Sequence, residues 1–291
     1  IALVWCDDHD NEVIYTFDDI KRLSNKAANF FKSLGINKGD RVLFLLRQRY
    51  EYWFLATALH KIGAILIPAS IQLTAKDIAY RSNAAEVKAI VAVNGSYVVE
   101  QVELAAADAQ TLKHKVIVDG ARSGWISLDE ELDKFSEDFP RPTGDDATHN
   151  DDIFLTYFTS GTSGWPKMVA HNHTYPLGHI VTAKYWQKVV DNKLHMTASD
   201  SGWAKFGWGK IYGQWISGAA VLAYDMDKFI PHNMLSVLMK YKPATFCAPP
   251  TIFRFLIHED LTKYDLSFIT HCCTAGEPLN PEVYNKWLEL T

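Results

Sequence analysis

Short apolar runs alternate with longer amphipathic segments along the N-terminal part of the chain. The runs at 41–46 ("RVLFLL") and 64–68 ("AILIP") predict strands that are buried on both faces. The segments at 15–35 and 51–63 place apolar residues near helical spacing, and each finishes at a glycine, the usual residue after a helix. Strands separated by helices in this way predict parallel βαβ units with right-handed crossovers.

The alternation is interrupted once and then resumes. Residues 136–150 ("SEDFPRPTGDDATHN") are polar and contain proline and glycine, which is typical of a connection. Beyond them, strand-like runs at 152–158 and 244–249 flank a helical pattern at 231–241. We therefore predict an α/β protein with two doubly wound layers. Its parts are a first α/β subdomain (1–135), a connection (136–150) and a second α/β subdomain (151–291).

The composition excludes several classes of protein. The chain has 291 residues, of which 48% are hydrophobic and 22% are charged, as in ordinary globular proteins. The net charge of −5 gives no basis for a nucleic-acid surface. No stretch approaches the roughly 18 apolar residues of a membrane span. The four cysteines form no CxxC pair and the histidines lack ligand spacing, so we predict buried free thiols and no metal site.

One polar, glycine-containing stretch lies between two apolar runs. It reads "YFTSGTSGWPKMVAH" at 157–171, and it fits either an anion-binding nest of backbone N–H groups or an ordinary hairpin turn. A Walker phosphate loop is a poor fit, because Lys167 follows Pro166 rather than glycine. The apolar runs on both sides also predict that the stretch joins two strands and does not open a helix.

The same string closely resembles the phosphate loop of the adenylate-forming superfamily, which includes acyl-CoA synthetases, luciferases and peptide-synthetase adenylation domains. Residues 15–42 and 53–70 are similar to the N-terminal region of that superfamily, and 273–287 resembles its adenine-contacting segment. Residues 198–221 ("ASDSGWAKFGWGKIYGQWISGAAV") most resemble AMP-forming acyl-CoA synthetases of the acetate and medium-chain fatty-acid branch. The likeness covers nearly the whole chain.

The resemblance implies an activity and its cofactors. A carboxylic acid and ATP would form an acyl-adenylate and pyrophosphate, and CoA would then displace AMP, with Mg²⁺ accompanying ATP. An aryl- or amino-acid-activating ligase and a non-catalytic ATP-binding fragment remain alternatives. The chain begins without Met and ends inside a predicted helix, so we expect a piece of the large N-terminal domain, inactive alone. The family's Mg²⁺-binding Glu, ribose-binding Asp and C-terminal catalytic Lys are expected after residue 291. We expect a cytoplasmic protein, or a mitochondrial one.

The resemblance also assigns residues by position. The phosphates of ATP would be held by Thr159, Ser160, Gly161, Thr162, Ser163, Gly164 and Lys167, with Thr162 and Lys167 acting in catalysis. The adenine would be lined by Gly276, Glu277 and Pro278. The acyl pocket would be bordered by Gly202, Trp203, Pro250, Thr251 and Ala275. Alanine at 275, where acetate-specific relatives commonly have valine, favours an acid longer than acetate.

Four of these residues have plainer interpretations. Lys167 could be a solvated lysine at the start of a strand, and Glu277 an acid ahead of a helix. Trp203 could pack in the core, and Thr251 could be a helix N-cap.

Overall fold

The computed structural model describes residues 1–160 and 164–290. The strands, in chain order, are β1 (Leu3–Asp7), β2 (Glu12–Tyr15), β3 (Arg41–Leu45), β4 (Ile65–Pro68), β5 (Val87–Val93), β6 (His114–Val118), β7 (Ile126–Ser127), β8 (Ile153–Thr159), β9 (Lys167–Asn172), β10 (Leu194–Thr197), β11 (Ala220–Asp225), β12 (Thr245–Ala248) and β13 (His271–Thr274). The helices are α1 (Phe17–Ser33), α2 (Glu51–Ile62), α3 (Ala75–Ala84), α4 (Ser96–Ala106), α5 (Leu128–Glu131), α6 (Tyr175–Val181), α7 (Ala204–Lys210), α8 (Tyr212–Ile216), α9 (Pro231–Tyr241), α10 (Pro250–Leu256) and α11 (Pro281–Leu290).

The chain forms two compact units, each with its own sheet. The six-stranded unit comprises Ile1–Phe17, Pro176–Asp200 and Lys205–Thr291, and the seven-stranded unit comprises Asp18–Tyr175 and Ser201–Ala204. This division differs from the predicted one, which separated 1–135 from 151–291. The connection at 136–150 does not end the first unit, because β8 pairs with β4 and extends the same sheet. Conversely, β1 pairs with β11 and so belongs with the C-terminal strands.

The seven-stranded sheet has the order β7-β6-β5-β3-β4-β8-β9. Its neighbouring strands are parallel except for β8 and β9, which form an antiparallel hairpin. Val42, Leu43 and Phe44 of β3 are fully buried, which confirms that this strand is covered on both faces. Helix α3 starts at the Thr74–Asp77 capping box.

The six-stranded sheet has the order β13-β12-β10-β11-β1-β2. Its neighbours are parallel except for β1 and β2. Helices α9, α10 and α11 pack on it through a continuous core that includes Met196, Leu222, Leu235, Phe246 and Trp287. Both sheets are therefore mainly parallel and flanked by helices, which confirms the predicted α/β class. No helix in the described ranges is long and apolar enough to cross a bilayer.

Candidate functional site

The candidate phosphate loop connects the two strands of a hairpin. Thr159 at the end of β8 pairs with Lys167 at the start of β9, and the other side of β8 pairs with β4. The prediction that this stretch joins two strands is therefore confirmed, and the helix that a Walker loop requires does not follow it. Three of the assigned residues, Gly161, Thr162 and Ser163, lie outside the described residues.

The described residues of the loop are exposed. Thr159, Ser160, Gly164 and Lys167 all lie at the surface. Gly164 has φ +97°, a conformation that glycine adopts at little cost. The Lys167 side chain makes no hydrogen bond or ion pair to any other residue of the described chain. Its ammonium group is therefore available to an anion.

Helix α3 holds both strands of the hairpin next to the loop. The Tyr80 hydroxyl donates to the Pro166 carbonyl at 3.0 Å, and the Tyr80 ring stacks on Trp165 with 4.4 Å between centroids. On the other strand, the Arg81 guanidinium lies 5.3 Å from the centroid of the Phe158 ring. These contacts fix the backbone immediately before Lys167. Sequence analysis missed Tyr80, because Tyr80 precedes the loop by more than 70 residues and belongs to no motif.

The Gly202–Trp203 segment docks on the carboxyl ends of two strands of the seven-stranded sheet. The Ser201 hydroxyl donates to the carbonyl of Leu46, which follows β3. A Cβ on Gly202 would lie 2.2 Å from the backbone nitrogen of Ser70, shortly after β4, so only glycine fits. Trp203 is 68% exposed, and its interpretation as a core residue is therefore wrong.

The loop and this segment share one edge of the sheet. Because β3, β4 and β8 are consecutive parallel neighbours, their carboxyl ends lie on the same side. The loop follows β8, and the Gly202–Trp203 segment contacts the residues that follow β3 and β4. In open α/β sheets ligands bind at this edge. The structure thus brings two separately predicted groups of residues to one edge of the sheet.

A second cluster lies at the carboxyl edge of the six-stranded sheet, where β12 and β13 run side by side. The Thr251 hydroxyl lies 2.8 Å from both carboxylate oxygens of Glu277, and Arg254 Nη2 lies 3.7 Å from Glu277 Oε2. Helix α10 is preceded by Pro249 as its N-cap and begins at the buried Pro250. The N-cap interpretation of Thr251 is therefore wrong, and its hydroxyl contacts the candidate adenine segment instead.

Lys205 tethers the candidate adenine segment. Its Nζ donates to the carbonyl of Ala275, and Gly276 follows with φ +109°. Burial lowers the pKa of Lys205, while negative charge on Glu277 acts in the opposite direction. Gly276, Glu277 and Pro278 themselves are exposed. Sequence analysis did not single out Lys205, although it lies only two residues after Trp203.

The described residues contain no group of three or more His, Cys, Asp or Glu side chains placed to hold a metal ion. The four cysteines are free thiols; Cys6 and Cys247 are buried, and Cys272 and Cys273 are half-buried.

The family follows from comparison with known proteins. The sequence profile of the family described as AMP-binding enzyme matches residues 1–291. The chain therefore belongs to the AMP-binding enzyme family, and the resemblance to adenylate-forming enzymes is confirmed.

Particular relatives are acyl-CoA synthetases by name. The chain is similar to the mitochondrial acyl-coenzyme A synthetase ACSM3 of Rattus norvegicus, with 36% identity over 293 residues that cover 100% of this chain and 50% of the relative. It is also similar to mitochondrial ACSM4 of the same species, with 36% identity over 98% of this chain and 49% of the relative. The chain thus spans about half the length of the curated relatives it matches.

Solved structures share the fold. The anthranilate CoA ligase AuaEII, solved in complex with anthranoyl-AMP, superposes with a TM-score of 0.90 at 22% identity, covering 100% of this chain and 54% of that one. An acyl-CoA synthetase of Brucella canis superposes with a TM-score of 0.89 at 21% identity, covering 99% of this chain and 52% of that one. At this identity the likeness establishes the fold alone.

Proposed function

We propose that the protein is an AMP-forming acyl-CoA synthetase. A carboxylate oxygen attacks the α-phosphorus of ATP, giving an acyl-adenylate and releasing pyrophosphate. The thiol of CoA then attacks the acyl carbon, giving the thioester and releasing AMP. Membership of the AMP-binding enzyme family and the names of the relatives described above support this reaction.

One observation carries the proposal: the hairpin loop and the Gly202–Trp203 segment lie at the same edge of the seven-stranded sheet. The reaction must bring two anions together, a triphosphate and a carboxylate, and their repulsion has to be neutralised. The backbone N–H groups of the loop, together with the exposed Lys167, supply the neutralisation. An exposed tryptophan beside it supplies an apolar surface for the organic part of the acid.

The residues of the loop and of the adenine segment have separate roles in this proposal. Thr159, Ser160 and Gly164, with Gly161, Thr162 and Ser163 between them, surround the β- and γ-phosphates. Lys167 neutralises the charge that develops on the departing pyrophosphate, and Thr162 donates to the same group. Gly276, Glu277 and Pro278 line the adenine. Mg²⁺ would accompany ATP, since the loop sequence offers hydroxyls but no carboxylate to hold the ion.

The acid is proposed to be a short- or medium-chain fatty acid. The family resemblance assigns Gly202, Trp203, Pro250, Thr251 and Ala275 to the binding of this acid. The small side chain of Ala275 leaves room for an acid longer than acetate. The alternative is an aryl or amino acid. The names of the relatives favour the mitochondrion over the predicted cytoplasm as the location.

The test is acid-dependent release of pyrophosphate by the protein at its full natural length. With ATP, Mg²⁺ and a panel of straight-chain acids, we expect release that depends on the acid and that is strongest beyond acetate. Lys167→Ala should lower kcat/KM for ATP by about 100- to 1,000-fold, the size of effect seen when one donor to a developing anion is lost. Unfolding should be unchanged, because the side chain is exposed.

A matched control is Lys113→Ala. Lys113 is an exposed lysine just before β6, at the opposite, amino edge of the same sheet, and its loss should leave the kinetics unchanged. No release with any acid would contradict the enzymatic proposal and favour an ATP-binding module. Selective release with aryl or amino acids would replace the fatty-acid assignment by the alternative.

A further inference from the structure

A positively charged pocket lies in the seven-stranded unit, between α1, the end of α2 and the segment at 136–150. Its volume is about 410 Å³, and its lining includes Lys21, Lys61 and Arg141 together with His60 and Phe139. Burial lowers the pKa of His60 well below its ordinary value, so this imidazole is neutral at pH 7. No carboxylate belongs to the lining.

Lys21 and Arg141 differ from the other cations near Lys21 on α1. Arg22 lies within 3.3 Å of a carboxylate oxygen of Asp18 and also bonds Asp19, and Lys26 lies 2.9 Å from Asp133. In contrast, the side chains of Lys21 and Arg141 form no ion pair or hydrogen bond with any residue that the structure describes. The carboxylates close to α1 therefore pair with Arg22 and Lys26, which do not line the pocket.

The third cation is held in place by neutral groups. Lys61 Nζ donates to Asn25 Oδ1 at 2.6 Å and to Ser24 Oγ at 2.7 Å. Burial, together with repulsion by Lys21, lowers the pKa of Lys61 to about 8. Three positive charges around one pocket repel one another unless a negative charge enters. Lys61 is held in place and contributes positive charge toward an anion in the pocket. Lys21 and Arg141 have hydrogen-bond donors that can bind that anion.

We propose that this pocket binds a phosphate-bearing small molecule with an apolar body. The guanidinium of Arg141 matches two oxygens of a phosphate, and the ammonium of Lys21 adds a third donor. The volume exceeds what a phosphate alone fills, and Phe139 provides a surface for the rest of the molecule. The site is separate from the loop that precedes Lys167 and does not depend on the synthetase reaction.

The probe is phenyl phosphate, titrated by calorimetry into the full-length protein carrying Lys167→Ala, which removes the exposed ammonium group at the hairpin loop. We expect saturable binding, tighter than that of inorganic phosphate. Arg141→Gln and Lys21→Gln should each weaken it about tenfold, because each removes a charge-assisted hydrogen bond.

The matched control is Arg22→Gln, one residue along α1 from Lys21, whose cation is already paired. It should leave the affinity within about twofold. Absence of phenyl phosphate binding, or an equal loss in Arg22→Gln and Arg141→Gln, would overturn the proposal. Binding of inorganic phosphate as tight as that of phenyl phosphate would overturn the proposal that the pocket recognises an apolar part of the ligand.

Discussion

The carboxyl edges of the two sheets present their candidate residues in opposite ways. At the edge of the seven-stranded sheet the side chains of Lys167 and Trp203 are exposed, whereas the backbone next to each is held, by the Tyr80 hydroxyl at Pro166 and by the close approach to Ser70 at Gly202. Gly202 fits against the backbone at Ser70 with no room for a methyl group. At the edge of the six-stranded sheet the side chains bond one another, as Thr251 does with Glu277.

This difference indicates which kind of mutation should affect each edge most. An exposed cation on a backbone that is held by its neighbours is preorganised for charge that arrives with a ligand, so a small displacement of that backbone costs a great deal. A pair of exposed, mutually bonded side chains can exchange partners with water, and the loss of one bond costs little. The largest effects of mutation should therefore come from the first edge through its backbone.

Gly202→Ala should have the largest effect, and it tests whether the first edge depends on the position of its backbone. The new methyl group would lie 2.2 Å from Ser70 N, and neither backbone can yield without moving the segment that carries Trp203. We expect the free energy of unfolding to fall by about 1–3 kcal/mol and kcat/KM for the acid to fall by about 100-fold or more. Thermal unfolding and pyrophosphate release by the full-length protein measure the two effects.

Gly178→Ala is the matched control for that substitution. Gly178 lies in α6, and a Cβ there would meet no atom within 4 Å. Alanine should be neutral or stabilising by about 0.5–1 kcal/mol, because it favours the helix. Normal acid kinetics in Gly202→Ala would show that the close approach to Ser70 does not set the position of Trp203.

A smaller effect is expected from the contact between α3 and the hairpin. Tyr80→Phe keeps the ring stacked on Trp165 and removes only the hydrogen bond to the Pro166 carbonyl. The loss of about 1 kcal/mol should raise KM for ATP about fivefold and leave KM for the acid unchanged. Tyr80→Leu, which also removes the stacking, should have a larger effect in the same direction.

Tyr97→Phe provides the comparison for Tyr80→Phe. The Tyr97 hydroxyl also donates to a backbone carbonyl, that of Gln72 at 3.4 Å, but Gln72 follows β4 and is not part of the hairpin, so the kinetics should not change. If Tyr80→Phe raised KM for ATP and for the acid equally, a general loss of stability would explain the result better than positioning of the loop.

Local signals in the sequence predicted much of the fold. The capping box at Thr74 and Asp77 begins α3, and Gly63 ends α2 with φ +72°. The Asn280 side chain accepts from the backbone N–H of Glu282 at the start of α11, the contact that asparagine commonly makes as an N-cap. These signals act over a few residues, and so the residues involved can be read directly from the chain.

Contacts between distant parts of the chain could not be predicted in the same way. Leu3 pairs with Val221, and Ser201 bonds Leu46, yet no local pattern encodes either partner. The alternation of strands and helices leaves the order of the strands open, and hence the division into units. The family resemblance named Gly202 as a site residue, but the reason for glycine there is its contact with Ser70, which only the fold reveals.

The smallest expected effect tests the other edge. Thr251→Val removes the hydroxyl that bonds both oxygens of Glu277 while keeping the shape of the side chain. Because the pair is exposed and Arg254 remains near the carboxylate, we expect KM for ATP to rise only about threefold, and unfolding to change by less than about 0.5 kcal/mol.

The control for this edge is Thr270→Val. The Thr270 hydroxyl donates to the Ala244 carbonyl at 3.0 Å, at the amino end of β13, so its loss should leave KM for ATP unchanged. A rise of 100-fold in Thr251→Val would mean that Glu277 must be held as rigidly as Gly202 is. The contrast between a fixed backbone at one edge and exchangeable side-chain bonds at the other would then be wrong, because both edges would depend on preorganised geometry.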